Sequence, residues 1–370
     1  MRSSQREIRF PALVSGGKQS DRTGSIPPDP FALCVVEIID SGRRRAKSRE
    51  GGCATMRYGV YVPNLWHYGS VGAITDLAVA AEESGWESFF IWDHLLVGAD
   101  IPVVDSQIAL AAVAAATSPR LRRIGSLITP LARRRPWKVA REIAALQELS
   151  HGRLVTGFGL GQPPEYEFTS MELDAPLKRG AALDDALELL ERFLSGEAFS
   201  WERPQSRIDR IGGPARVDAP AFLPRPDPMP PIWIAGCIYR GGQAPEVVIS
   251  SDEYRPHMVE RPVQQPSIPF RRAARFQGVF PVGMPWDNEA PLTPEEITRV
   301  IALTFPDGRP PNDFEVVTCG RTGGHDAPVK LTDLARYEEA GLTTWLESPP
   351  DLATHDEALA IIRQGPPSKH

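Results

Sequence analysis

The chain has 370 residues, 42% hydrophobic and 24% charged, an ordinary globular composition with enough length for a large core. A net charge of −6 gives no general attraction to nucleic acid, and no apolar run approaches the roughly 20 residues of a membrane span. Cys34, Cys53, Cys237 and Cys319 form no CxxC pair and no Cys/His cluster. A zinc site and a disulfide framework are therefore disfavoured, and a reduced, cytoplasmic setting is expected.

Residues 1–55 differ from the rest. They carry ten Lys/Arg and six Asp/Glu, a net of +4 against −10 for the remainder. "SGGKQSDRTGS" and "SGRRRAKSREGG" have the composition of disordered chain. The segment reads as a disordered tail, or as an over-long start to a functional chain that begins at Met56. A basic arm for a polyanion is the alternative.

From Met56 onward, short apolar runs alternate with helical patterns. The runs are 57–62, 88–92, 123–129, 153–159, 231–236, 278–282, 314–320 and 343–348. Between them, "AITDLAVAAEESG" (73–85) spaces apolar residues three and four apart and stops at a glycine. Residues 179–196 do the same and end on Gly196. Thr293-Pro294-Glu295-Glu296 combines an N-cap, a first-turn proline and a capping-box glutamate. "LTDLARYEEAG" and "HDEALAIIRQG" end on Gly341 and Gly365. Eight such units predict an α/β fold, a (β/α)8 TIM barrel. An open doubly wound sheet fits less well, because the first turn is not GxGxxG. Two connections, 197–230 and 237–269, are long and rich in proline, arginine and glycine. They read as insertions after strands four and five, forming either a substrate wall or peripheral additions. "VVISSDEY" suggests a small extra hairpin in the second.

In a barrel the chemistry sits at the C-terminal ends of the strands. Those ends carry Asn64, Trp66 and His67; Asp93 and His94; Thr129; Gly157, Gly159, Gly161 and Gln162; Gly236 and Cys237; Thr318 and Cys319; and Glu347. The inventory is too poor in converging His, Asp and Glu for a metallohydrolase, so no metal is expected. Aromatic residues and the glycines of "GFGLG" suit a flat or phosphorylated ligand, though strand packing explains such glycines equally well. "ARRRPWK" (132–138) reads as a solvated helix start with Pro136 in the first turn, or as an anion-facing entry loop. Arg153 is expected in a structural ion pair, and Cys237 and Cys319 as inert buried thiols.

"MRYGVYVPN", "LAVAAEESGWESFFIWDH", "RIGSLITPLARRRPWKVAREIAALQELSHGRLVTGFGLG", "PIWIAG", "RRAARFQGVFP" and "YEEAGLTTWLES" together resemble the bacterial luciferase-like monooxygenases. That superfamily uses FMN or the deazaflavin F420 on a (β/α)8 barrel, here expected to span 56–370. The resemblance implies a flavin-dependent oxidoreductase, foremost an FMN-dependent monooxygenase of a small organic substrate. An F420-dependent hydride-transfer enzyme and a non-catalytic flavin-binding barrel are the alternatives. It implies His94 as the catalytic group with Asp93 orienting it. It further implies cofactor contacts from Asn64, Ser126, Leu127, Thr129, Gly159 and Gly161. Gly236 would open a phosphate-binding loop reached by Arg271 or Arg272. A small-molecule substrate, a separate flavin reductase and a homodimer complete the expected partners, with no nucleic acid and no membrane. Two departures stand out. Residues intervene between Gly236 and Arg271 where the family has a short loop. Gln162 stands where F420-dependent sugar-phosphate dehydrogenases carry a glutamate.

Overall fold

The computed structural model describes residues 56–98, 100–161, 179–211, 215–240, 243–249, 256–262, 268–284, 290–323 and 327–367. The expectations for residues 1–55 and for Gln162 lie outside these.

Strands β1 (Arg57–Val62), β2 (Ser88–Ile91), β3 (Arg123–Pro130) and β4 (Leu154–Gly159) are the first four of the barrel. Two short strands, β5 (Phe199–Glu202) and β6 (Arg216–Ala219), lie outside it. β7 (Ile232–Tyr239) is the fifth barrel strand, followed by a separate hairpin of β8 (Gln243–Ile249) and β9 (Pro256–Pro262). β10 (Gly278–Met284), β11 (Glu315–Gly320) and β12 (Thr344–Glu347) complete the ring. The order β1-β12-β11-β10-β7-β4-β3-β2 closes on itself with parallel pairing throughout. All eight predicted runs are barrel strands.

The helices are α1 (Val71–Glu83), α2 (Ser106–Ala116), α3 (Pro136–Leu149) and α4 (Arg179–Ser195). They continue with α5 (Gln205–Ile211), α6 (Ile268–Ala273), α7 (Pro294–Thr304), α8 (Leu334–Glu339) and α9 (His355–Ile362). Their ends follow the sequence signals. Ser70 caps α1, Asp105 caps α2 through the amides of Gln107 and Ile108, and Pro136 opens α3. The Thr293–Glu296 capping box forms in full, and a second one, Thr354–Glu357, starts α9. Gly196, Gly341 and Gly365 take positive φ where α4, α8 and α9 give way to the next segment.

Two apolar layers hold the fold. Side chains alternate along each strand, so Phe89 and Ile91 face the helices while Phe90 faces the barrel axis. The inner layer contains Tyr61, Phe90, Leu127, Val155, Trp233, Phe280, Val317 and Leu346. The barrel is therefore filled, and its chemistry is confined to the rim.

The two insertions sit at opposite ends. Residues 197–230 do not leave strand four directly. They follow α4 and lead into β7, which places them at the N-terminal ends of the strands. There Gln147 donates to the carbonyl of Pro228 at 2.7 Å. A substrate wall is excluded for this insertion, because the catalytic face is the other end. The second insertion does leave a strand, β7, and carries the expected hairpin, β8 paired antiparallel with β9.

Candidate functional site

Strand β2 delivers Trp92, Asp93 and His94 to the C-terminal rim. Trp92 continues the inward alternation and packs on the inner core while staying partly open, as do Ile128, Ala235 and Val282. These four make an apolar floor under the rim. Trp66 stands edge-on to Trp92 at 6.1 Å, and the Trp92 and His94 rings are 5.5 Å apart.

Asp93 is buried and fully engaged. Its carboxylate takes Arg133 at 2.9 Å and Arg134 at 2.8 and 2.9 Å. Arg133 also donates to the Asp93 carbonyl. Burial alone would raise the carboxyl pKa, but Arg134, Arg133 and the hydroxyls of Thr129 and Ser106 hold it below the usual range. "ARRRPWK" thus turns two of its arginines inward. The helix start with Pro136 in its first turn forms as expected, with Arg135 and Lys138 exposed. Sequence alone missed this because the pairing spans β2 and the segment after β3.

His94 is half-buried. Burial, reinforced by the Arg133 charge and opposed by Asp93, pushes its pKa down to about 4. The imidazole is therefore neutral near pH 7, with one nitrogen able to donate and one to accept.

Asn64 is wholly buried, and its amide is spent on backbone. It donates to the carbonyls of His94 at 2.9 Å and Val104 at 2.7 Å, and accepts from the His94 amide at 3.1 Å. The Asn64 amide, expected at the cofactor, is bonded to the backbone of His94 and Val104. Ser126 and Thr129 share a 2.8 Å hydrogen bond, and Thr129 reaches Asp93. Leu127 is buried in the inner core, its carbonyl accepting from the Tyr61 hydroxyl. Its side chain is thus under the floor, and Ile128 is the residue of that strand that stays open.

On the far side of the rim, Gly159 keeps the floor flat. A Cβ there would lie 2.5 Å from Ile128 Cδ1 and 3.3 Å from Ala235 Cβ. Gly161 takes a φ of +78°, which only glycine adopts without cost. Its carbonyl and that of Leu160 accept from Arg179 Nη1, each at 3.0 Å. Gly236 departs from expectation. It lies inside β7, paired with Pro281, because the strand runs on to Tyr239, and a Cβ there would meet the Phe270 ring at 2.8 Å. It opens no loop among the described residues. Arg272 is buried and bonded to Asp184 at 2.6 Å, tying α6 to α4, whereas Arg271 is exposed. Of the two arginines considered for a phosphate, Arg272 is committed to packing.

The remaining polar rim residues are structural. Glu347 accepts from the amides of Thr322 and Gly323, both at 2.8 Å, and fixes the turn after β11. Arg153 makes no ion pair within the bonds described. It donates to the carbonyls of Ala114, Thr117, Ser118, Leu121 and Ser150. Cys237 is a half-buried free thiol whose pKa burial raises to about 11, and Cys319 is buried with its pKa also raised. Among the described residues no group of His, Cys, Asp and Glu is placed to hold a metal, and no helix is long and apolar enough to cross a membrane.

The fold and rim define a (β/α)8 barrel with a neutral histidine over an apolar floor. Residues 56–238 match the model of the family described as luciferase-like monooxygenase. The chain is 32% identical over 176 residues to an F420-dependent glucose-6-phosphate dehydrogenase of Nakamurella multipartita, covering 46% of this chain and 47% of that protein. It is 24% identical over 194 residues to the 5,10-methylenetetrahydromethanopterin reductase of Archaeoglobus fulgidus, covering 52% and 49%. The chain thus spans about half the length of the curated relatives it matches. Among solved structures, an F420-dependent secondary alcohol dehydrogenase with a bound F420–acetone adduct superposes with a TM-score of 0.59. The match is 14% identical and covers 84% of this chain and 98% of that one. A monooxygenase from Streptomyces bottropensis reaches 0.55 at 20% identity, covering 83% and 97%. These two likenesses are of fold.

Proposed function

We propose that this chain is an F420-dependent oxidoreductase that moves a hydride between the deazaflavin and a small-molecule substrate. The observation that carries the proposal is His94, neutral at the strand-β2 rim beside the floor of Trp92, Ile128, Ala235 and Val282. Relatives named as F420-dependent match this chain over about half its length. F420 therefore takes precedence over FMN, the cofactor first expected from the sequence.

The residues suit such a cofactor. The floor is apolar and partly open, and Gly159 keeps a side chain from crossing it. When bound, the deazaflavin supplies two-electron hydride chemistry. The chain supplies the rest. Neutral His94 takes a proton from a substrate hydroxyl during oxidation, or returns one during reduction. Trp66 and Trp92 keep water from that proton and support the imidazole. Asp93 acts at one remove, by holding Arg133 and Arg134.

An FMN-dependent monooxygenase, with a separate flavin reductase, is the second reading. It is favoured by the name of the family matched over residues 56–238. Titration with F420 and FMN, each oxidised and reduced, separates the two. The expected result is tight binding of F420, and hydride transfer without oxygen. Oxygen-dependent turnover with reduced FMN alone would reverse the assignment. Binding of flavin without turnover of any alcohol, aldehyde or imine would leave a non-catalytic flavin-binding barrel.

A further inference from the structure

His94 begins a loop, residues 95–103, that ends where Asp105 caps α2. One foot of this loop is strand β2. The other is a short antiparallel contact with the end of strand β1. There Leu65 bridges Val103, Trp66 N–H donates to the Pro102 carbonyl at 3.1 Å, and Val104 N–H donates to the Asn64 carbonyl at 2.9 Å. The Asn64 side chain lies between the two feet and bonds both. It takes His94 by its amide and carbonyl, and Val104 by its carbonyl.

We propose that Asn64 is the positioning residue of the site: its amide joins both feet of the 95–103 loop and thereby sets the height and direction of His94 over the floor. The proposal rests on the catalytic role given to His94 above. The chemistry selects the residue type. Two N–H donors and one carbonyl acceptor on a short stem are needed, and among the side chains only a primary amide offers both. Aspartate lacks the donors and serine offers one hydroxyl. Both amide hydrogens of Asn64 are used, and the residue is fully buried, so little is left for a ligand. The loop it closes begins with Leu95, Leu96 and Val97, of which Leu95 is exposed. A displacement of about 1 Å in a catalytic group can cost about a hundredfold in rate.

The test compares Asn64→Ala, Asn64→Ser and His94→Ala with the wild type in the full chain. In Asn64→Ala the His94 and Val104 amides should exchange with solvent at least about tenfold faster, while Phe89 and Val60 in the barrel keep their protection. The His94 imidazole should titrate at least about one pH unit higher as water reaches it. Dissociation of F420, read by its fluorescence, should stay within about threefold, while kcat falls about ten- to a hundredfold at a KM changed less than threefold. Asn64→Ser should fall between, and it carries the test if the alanine variant does not fold. Unchanged exchange and an unchanged His94 titration overturn the proposal. So does loss of F420 affinity in parallel with kcat, which would make Asn64 a ligand contact. His94→Ala with full turnover sinks it by removing the group to be positioned. A wild type that binds no F420 overturns the cofactor assignment instead, and the exchange and titration arms then decide Asn64 alone.

Discussion

Arg134 spans the Asp93 carboxylate with one guanidinium nitrogen, 2.8 Å from one oxygen and 2.9 Å from the other. Arg133 adds a contact at 2.9 Å, and its side chain and that of Asp93 are 1% and 0% exposed. Arg134 also meets Glu142 at 3.6 Å, so Arg133 is the guanidinium that depends on Asp93 most. Asp93→Asn keeps the shape and removes the charge. It should cost roughly 3–5 kcal/mol, because it strands the guanidinium of Arg133 in the interior. Thermal or urea unfolding reads this directly. The same change should depress the His94 pKa further, since Asp93 is the one charge that supports the imidazolium. A stability loss under about 1 kcal/mol would show that the pair is solvated in solution.

The low pKa of His94 has two pH signatures. Its folded value of about 4 lies below the ordinary 6.5, so between these values the unfolded chain binds a proton that the folded chain refuses. This histidine therefore lowers stability as pH falls from 6.5 toward 4, by roughly 3 kcal/mol in total. Asp93 and Glu315, whose pKa values are lowered, act in the same direction at still lower pH. Each contributes stability above its unfolded pKa and loses it as pH falls through the folded one. His94→Gln should flatten the slope between pH 6.5 and 4 and leave the more acidic part. For activity, kcat/KM in the free enzyme should hold down to about pH 5 and fall near 4, rather than near 6.5.

The barrel was legible because its cues are local. Alternating apolar runs, Gly85, Gly196, Gly341 and Gly365 as helix stops, and the Thr293 capping box all act within one turn or one strand. The placement of His94 at the rim followed from counting strands. What escaped was set by long-range pairing. Nothing near Asp93 in sequence announces Arg133 and Arg134, and nothing near Asn64 announces Val104. For the first insertion the sequence leaves a substrate wall and a peripheral addition equally open, and the order α4, insertion, β7 decides for the latter. The family resemblance makes Gly236 a loop start, yet β7 continues through Cys237, Ile238 and Tyr239. Pairing with β10 as far as Met284 extends it.

Cys237 tests the electrostatics of the far rim. Burial raises its pKa to about 11, although Tyr239 and Arg179 act to lower it. The reactive thiolate is scarce at pH 8 as a result. Alkylation by iodoacetamide at pH 8 should be at least about a hundredfold slower than that of a free thiol, and should not be accelerated by adding a phosphate-bearing ligand. Rapid modification, followed by mass spectrometry of the Cys237 peptide, would reveal an open and charged pocket between β4 and β7.

Arg271 and Arg272 separate a structural arginine from one able to meet a ligand. Arg272 is buried against Asp184 and reaches the carbonyl of Gly180 at 3.3 Å, so it joins α6 to the start of α4. Arg271 is its exposed neighbour. Arg272→Met removes one partner of a mostly buried pair and leaves Asp184, which is itself partly open to water, to be solvated. The expected loss is therefore about 1–3 kcal/mol, at the level of a hydrogen bond to a charged group. Cofactor affinity should change less than about twofold, because the guanidinium is already engaged in packing. Arg271→Met should leave stability within about 0.5 kcal/mol, as an exposed surface change does. Its effect on F420 affinity then reports whether that side chain meets the cofactor's phosphate: a tenfold weakening supports the contact, and an unchanged dissociation constant places the phosphate elsewhere. If Arg272→Met weakened F420 binding strongly without lowering the melting temperature, the Asp184 pair would have to open on binding.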